Sequence, residues 1–461
     1  MRVSSQRKTQ VLYMTSRLFT KYNRPGSRYT VYPTIPYWDP DSFSKESWVQ
    51  SLTHSLNEYS DEGISLYIHL PFCDSLCTFC GCNKRITLRH EQEMPYIRAV
   101  LKEWHSYLNI FPKTPSIKEI HLGGGTPTFF SMDNLKILIE GILEPVHLAE
   151  NPEFSFEAHP KSTSRTHLHG LYNLGFRRIS LGVQDYDKSI QLALNRVQPL
   201  WLVKRVHDYA RELGYTINHD LIYGLPNQTI ERNRPTLEIT ESLKPDRIAF
   251  YSYAHVPWRK GVGQRAFDEL DLPKNAEKRA IFEAGRQFFK DHGYKEVGID
   301  HFVLPGDELA KAAETGRMRR TLNGYSTTQN KIRLGLGMSS ISESGDGFAQ
   351  NTLDLEEYQQ KAETGELPLI RGHISTTKDQ LLARHINELM CYFETDLPEE
   401  PILKADILSD LKEMQEDEIL IIDHDRITVT ETGRPFVRNV CMAFDQRMKE
   451  SSREMMFSQT V

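Results

Sequence analysis

Ile-Ser-Leu-Tyr-Ile-His-Leu, Ile64–Leu70, runs directly into Pro-Phe-Cys-Asp-Ser-Leu-Cys-Thr-Phe-Cys-Gly-Cys-Asn, Pro71–Asn83. The first seven residues, rich in β-branched and aromatic side chains, predict a strand. The segment after it holds Cys73, Cys77, Cys80 and Cys82, four of the chain's six cysteines. Cys391 and Cys441 stand alone near the C-terminus. A disulfide framework would spread its cysteines through the chain, so this clustering predicts a metal or redox site in a reducing compartment. Closely spaced thiolates on one loop can supply several corners of an iron–sulfur cubane. Three protein ligands would leave one iron open, as catalytic metal sites keep a position for a small molecule. A structural zinc site is the alternative, but it commonly uses two separated pairs of cysteines, and a second pair is missing.

Outward from this stretch, short apolar runs alternate with longer amphipathic ones. Strands are predicted at Ile64–Leu70, Ile117–Leu122, Phe154–Ala158, Arg178–Val183, Ile217–Tyr223 and Arg247–Tyr253. Helical stretches between them include Met94–Ile110, Asp133–Leu143, Leu200–Leu213 and Ile230–Ser242. Six such repeats predict a parallel sheet, either open and doubly wound or a partial TIM-like barrel. Polar or glycine-rich segments follow several strands: the cysteines, GGGTPT, EAHP, GVQD and DLIYGLP. In both architectures these ends converge on one face, where ligands bind.

A chain of 461 residues predicts two to four domains. The expected division is a basic N-terminal segment and lid over 1–60, the α/β core over 61–260, an extension over 261–370 and a C-terminal domain over 371–461. In the last part, helical patterns at Lys378–Phe393 and Lys404–Gln415 precede a hairpin-like ILIIDHDRITVTETG, which suggests a small winged-helix-like module. That region carries 9 Lys+Arg against 17 Asp+Glu between Thr376 and Glu450, which speaks against DNA binding and for a lid or packing role. Before Asp39 there is no acid, whereas Arg2, Arg7, Lys8, Arg17, Lys21, Arg24 and Arg28 are basic. An anionic ligand near the N-terminal part is therefore compatible with the net charge of −6. The longest apolar runs fall far short of a membrane span. The expectation is a cytoplasmic monomer that binds neither nucleic acid nor membrane.

The order of motifs resembles a known family. Cys-x3-Cys-x2-Cys after the first strand looks like the radical S-adenosylmethionine enzymes. More narrowly, the chain resembles the oxygen-independent coproporphyrinogen III oxidases, also called coproporphyrinogen dehydrogenases. The matching segments are RYTVYPT (Arg28–Thr34), YIHLPFCDSLCTFCGCN (Tyr67–Asn83), HLGGGTPT (His121–Thr128), FEAHP (Phe156–Pro160) and SLGVQD (Ser180–Asp185). NRVQ (Asn195–Gln198), DLIYGLP (Asp220–Pro226), YAHVP (Tyr253–Pro257) and GIDHF (Gly298–Phe302) follow in the same order. The segment Thr321–Tyr325 departs from the family's pattern, which puts contacts from that loop to substrate in doubt.

The fold expected with this resemblance is α/β: a partial TIM-like (β/α)6 barrel with an N-terminal segment and a smaller, mainly helical, winged-helix-like C-terminal domain. The resemblance implies that Cys73, Cys77 and Cys80 ligate a [4Fe–4S] cluster whose fourth iron is chelated by S-adenosylmethionine. It gives Cys82 an accessory or catalytic role, places His69 on the active site and packs Phe79 against the cofactor adenine. Gly124, Gly125, Thr126, Tyr67, Glu157 and Ile341 match contacts to the cofactor. Gln184, Arg196, Asp220 and Ala254 match positions around a second S-adenosylmethionine. The implied reaction is oxidative decarboxylation of two propionates of coproporphyrinogen III by a 5′-deoxyadenosyl radical, giving protoporphyrinogen IX, with an electron donor the sequence does not name. The alternative is the related haem-chaperone branch. Those relatives usually have an aromatic residue where Cys82 stands and lack the RYTVYPT-type segment, so both features here favour the oxidase.

Overall fold

A computed structural model describes residues 17–259, 261–451 and 457–460. Six strands run in sequence: β1 (Ile64–Leu70), β2 (Ser116–Gly124), β3 (His147–Ala158), β4 (Phe176–Gln184), β5 (Thr216–Tyr223) and β6 (Arg247–Ser252). Each pairs in parallel with the next. Spatial order therefore follows chain order without reversal, which is the winding of a barrel rather than of a doubly wound sheet. Helices return the chain between strands: α1 (Glu93–Leu108), α2 (Met132–Leu143), α3 (Arg165–Asn173), α4 (Leu200–Leu213) and α5 (Ile230–Leu243). Ser131, Ser164 and Thr229 cap α2, α3 and α5 by accepting backbone N–H groups that the first helical turn leaves unpaired.

The strand faces differ sharply. Ile64, Leu66, Ile68, Leu122, Phe156, Ile179 and Leu181 enter one buried core with Tyr96, Val100 and Trp104 of α1 and Leu135 and Ile139 of α2. The alternate residues are polar and bond across the barrel interior. Ser65 donates to Glu119 at 2.8 Å, His121 pairs with Ser155 at 2.8 Å, and Ser180 donates to Asp220 at 2.9 Å. Period-two side chains put these two sets on opposite faces.

The sheet continues beyond both predicted edges. On one side, β8 (His301–Val303) adds antiparallel to β6, and β7 (Lys295–Val297) antiparallel to β8. On the other, β9 (Arg333–Leu336) lies parallel to β1, and β10 (Ile341–Glu343), β11 (Gly347–Asn351) and β12 (Leu369–Ile374) extend it antiparallel. Among the described residues this makes one twelve-stranded sheet. The stretch up to Gln350, within the expected extension, is thus partly sheet. Its strands are three to five residues long and interrupted by Gly335, Gly337, Gly345 and Gly347, too short to show a period. The segment before β9 closes the N-terminal end of the barrel: Asn330 donates to Ser65, Thr327 to Glu153, and Arg333 stands 3.8 Å from Glu119.

The C-terminal part contains α6 (Asn275–Asp291), which still packs on the barrel, then α7 (Thr377–Tyr392), α8 (Pro401–Glu416), the hairpin Leu420–Asp423/Arg426–Val429 and α9 (Val437–Phe444). Its core takes in Leu18, Phe19, Tyr22, Tyr29 and Tyr32 from the N-terminal segment. The basic stretch expected as a lid is therefore largely bound to the acidic module. Lys21 pairs with Asp417 and Glu413, and Arg17 stands 3.6 Å from Asp417. The charge asymmetry seen in the sequence is in good part internal complementarity. Arg2, Arg7 and Lys8 lie outside the described residues.

Candidate active site

The polar interior opens at the C-terminal ends of β1–β6, and the cysteine loop lies across that opening. The loop is held from below by the glycine segment after β2. Gly125 N–H donates to Leu70 at 2.9 Å and Thr126 N–H to Phe72 at 3.0 Å, while the Thr126 hydroxyl lies 3.2 Å from the Cys73 sulfur. A Cβ on Gly125 would overlap the Pro71 carbonyl, with its carbon only 2.6 Å away. At Gly124 a φ of +111° suits glycine alone, and a Cβ there would sit 2.7 Å from the His69 ring. Two of the three consecutive glycines thus seat the cysteine loop and His69.

Cys80 N–H donates to the Cys77 carbonyl at 3.2 Å, a turn that sets the second and third thiols on one tight curve. Cys82 is exposed and lies beside Cys80. This pulls Cys80 toward the thiolate and holds Cys82 protonated. Burial pushes Cys73 up to about 11. Among the described residues no three His, Cys, Asp or Glu side chains converge tightly enough to hold a single metal ion. A cubane takes each thiolate on a different iron, which suits cysteines spaced along one loop.

Tyr67 and His121 stack at 5.9 Å and 17°, forming a flat aromatic wall inside the barrel. Tyr67 donates to His69 Nδ1 at 3.3 Å, and His69 Nε2–H donates to the Asn83 carbonyl at 2.9 Å, which fixes the tautomer. Burial keeps the His69 pKa below its ordinary value. Glu157, its side chain 44% exposed, accepts from Gly124 N–H at 3.3 Å and faces His121 at 3.5 Å. Ile341 sits beside this wall, because its backbone abuts Gly335, the register partner of Tyr67.

The opposite wall holds the rest. Gln184, at the end of β4, has a φ of +69°. Arg196 donates to the Gly182 carbonyl at 2.6 Å and reaches the Cys77 sulfur at 3.6 Å, while its buried Nε has no partner among the described residues. Asp220 accepts from Ser180, Asn218 and Tyr251, and burial raises it to about 6. Gln264 bridges the carbonyls of Phe79 and Ala254 at 2.9 and 3.0 Å, tying the cysteine loop to the end of β6. The Phe79 ring packs against Ile190, Leu194, Leu225 and Tyr253.

All sixteen residues singled out in the sequence thus line one opening or the loop across it. His121, Ser180, Tyr251, Lys84 and Gln264 belong to the same surroundings and were not singled out. Lys84 donates to the carbonyls of Cys80 and Cys82 at 3.4 Å. The alternation of polar residues along β2, β4 and β6 was the available signal for the first three. Nothing local marks Gln264, which acts across 185 residues of sequence.

This constellation defines a class, and comparison with known proteins agrees. The family model of the radical SAM superfamily matches residues 67–239, a class that implies a [4Fe–4S] cluster and S-adenosylmethionine. The oxygen-independent coproporphyrinogen III oxidase of Helicobacter pylori (strain ATCC 700392 / 26695) is 36% identical over 453 residues, 96% of this chain and 98% of the relative. The enzyme of the same description from Escherichia coli (strain K12) is 36% identical over 456 residues, with the same coverages. The solved structure of coproporphyrinogen III oxidase from Escherichia coli, described as a radical SAM enzyme, superposes with a TM-score of 0.85 at 35% identity, over 91% of this chain and 97% of that one. The chain belongs to the oxygen-independent coproporphyrinogen III oxidase family. No described helix is long and apolar enough to cross a membrane.

Proposed function

We propose that this enzyme converts two propionate groups of coproporphyrinogen III to vinyl groups by oxidative decarboxylation, giving protoporphyrinogen IX in haem biosynthesis. The observation that carries this reading is the near full-length relationship to the oxidases, joined to three thiols held at the mouth of a polar barrel. Cys73, Cys77 and Cys80 would hold the cluster. Bound there with S-adenosylmethionine, the cluster would supply the electron that releases a 5′-deoxyadenosyl radical for hydrogen abstraction at a propionate β-carbon, after which loss of carbon dioxide and of one electron to an acceptor would leave the vinyl group.

The chain's own residues then place and shield the reactants. Tyr67, Phe79, Gly124, Gly125, Thr126, Glu157 and Ile341 are assigned to the first S-adenosylmethionine. The Glu157 carboxylate can accept hydrogen bonds from a ribose diol, and the close approach at Gly125 lets backbone line the ligand. Gln184, Arg196, Asp220 and Ala254 are assigned to a second one. The unpartnered Arg196 Nε supports that assignment, since a buried guanidinium N–H without an acceptor is costly and a carboxylate would satisfy it. His69, with its proton fixed on Nε2, borders the reacting space, and Cys82 is assigned an accessory role beside the cluster.

Anaerobic reconstitution with iron and sulfide, followed by assay with coproporphyrinogen III, S-adenosylmethionine and a reductant, tests the proposal. A cubane-like absorption band and vinyl product are expected. Tight stoichiometric zinc without that band would overturn the cluster assignment. Cluster and tight haem binding without vinyl product would favour the haem-chaperone function.

A further inference from the structure

Four basic side chains from four separate segments gather beside the end of β6, and none forms an ion pair within 4.0 Å among the described residues. Arg28, from the N-terminal segment, donates to the Ser252 carbonyl at 3.2 Å. Lys278, from α6, donates to the next carbonyl, Tyr253, at 3.2 Å. Arg438, from α9, donates to the carbonyls of Gly26 and Ser27, immediately before Arg28, at 2.6 and 2.8 Å. Arg320, on the short strand Arg319–Thr321, is 9% exposed, lies over the Tyr325 ring at 4.9 Å and has a buried Nε without a partner.

Their surroundings balance them only in part. Asp300 attracts Arg28 and Arg320 but makes its close ion pair with His301, at 2.7 Å. Arg438 also donates to Gln459 and Thr460, so its N–H groups are largely used on backbone and it is structural. Arg28, Lys278 and Arg320 keep donors to spare. Arg28 is open to water, and desolvation, then Arg320, lowers its pKa. The place adjoins the reaction space: Tyr253 precedes Ala254, whose carbonyl Gln264 links to Phe79.

Unpaired, mutually repelling cations cost free energy unless an anion joins them. We infer that Arg28, Lys278 and Arg320 form the anchor for the two propionates of the substrate that are retained. This rests on the substrate reading above and adds to it the residues that choose which carboxylates stay. Charge-assisted pairing stabilises a carboxylate in its ground state, which opposes its departure as carbon dioxide. The reacting propionates would then lie on the side of the porphyrinogen turned to the cysteine loop.

Desolvation, with Arg28 and Arg438 facing it, lowers Lys278 to about 7. Tyr223, Tyr251, Arg279, Asp300 and the His301 paired with it are the other titratable or charged groups of this neighbourhood. A carboxylate arriving beside Lys278 raises its affinity for a proton, so binding near pH 7–8 should take up protons.

The test is calorimetric binding of coproporphyrin III and of its tetramethyl ester to the reconstituted holoenzyme, in buffers of different ionisation enthalpy. The acid should bind with proton uptake and at least about tenfold more tightly than the ester. Equal affinity of acid and ester, or no proton linkage between pH 7 and 8, would overturn the anchor. Arg28→Gln and Arg320→Gln, checked for full iron content, should each weaken the acid about tenfold or more and leave the ester unchanged; unchanged affinity for the acid would overturn it too. The two proposals fail separately. Acid-selective binding without vinyl product leaves the anchor and removes the reaction, whereas vinyl product with acid and ester bound alike does the reverse.

Discussion

Arg196 Nη1 lies 3.6 Å from the sulfur of Cys77 while its Nη2 is fixed on the Gly182 carbonyl at 2.6 Å. One guanidinium thus spans from β4 to the cysteine loop. Its planar fork serves both contacts at once, and a lysine ammonium has no equivalent geometry. Arg196→Lys should assemble the cluster but bind S-adenosylmethionine about tenfold more weakly, measured by equilibrium dialysis on the reconstituted variant. Wild-type affinity would remove Arg196 from the cofactor site.

The glycine segment gives a second expectation. A methyl group on Gly125 meets backbone, which cannot swing away as a side chain can. Gly125→Ala should cost about 1–3 kcal/mol through overpacking and lower the iron bound per chain. Thermal unfolding and iron analysis would show both effects, and an unaltered iron content would mean that the segment does not seat the loop.

Cys82 lies beside Cys80 and is exposed. Cys82→Ser should therefore retain iron and sulfide at the wild-type ratio while losing vinyl product. Loss of the cluster in this variant would make Cys82 a ligand.

Far from the active site, Glu103 of α1 is fully buried and accepts from Gly337 N–H, Asn351 and the Tyr358 hydroxyl at 2.8, 2.6 and 2.6 Å. Burial outweighs these bonds and raises it to about 7, against about 4.3 in an unfolded chain. Between those values the folded protein holds more protons, so this group's contribution to stability falls as pH rises from about 4.3 through about 7, then levels off. The change is roughly 4 kcal/mol at most. Urea midpoints from pH 5 to 8 should decline more steeply in wild type than in Glu103→Gln. Parallel curves would show that Glu103 does not titrate in this window.

Asp417 collects the Tyr22 hydroxyl at 2.7 Å and the Lys21 ammonium. Asp417→Asn should cost about 1 kcal/mol and speed tryptic cleavage after Lys21 several-fold. High salt should have a similar, smaller effect on wild type. A cleavage rate equal to wild type would mean that the apolar contacts of Leu18, Phe19 and Tyr22 alone hold the segment.

By itself the sequence determined the cysteine loop, the strand before it and the six-fold β/α alternation. These are local patterns: a spacing of ligands, a run of apolar residues, a period of two or 3.6. It also fixed the polar face of each strand, although the period-two signal at His121, Ser180 and Tyr251 is obvious only once the barrel shows which face is inside. Tertiary structure alone decided that β9 joins β1 across more than 260 residues, that the basic N-terminal stretch spends Arg17 and Lys21 on the acidic module, and that Arg28, Lys278 and Arg320 meet beside β6. Such meetings have no period and no local spacing. They follow from where one long curved sheet and a docked helical module bring distant segments, and only there does an unpaired charge show itself as unpaired.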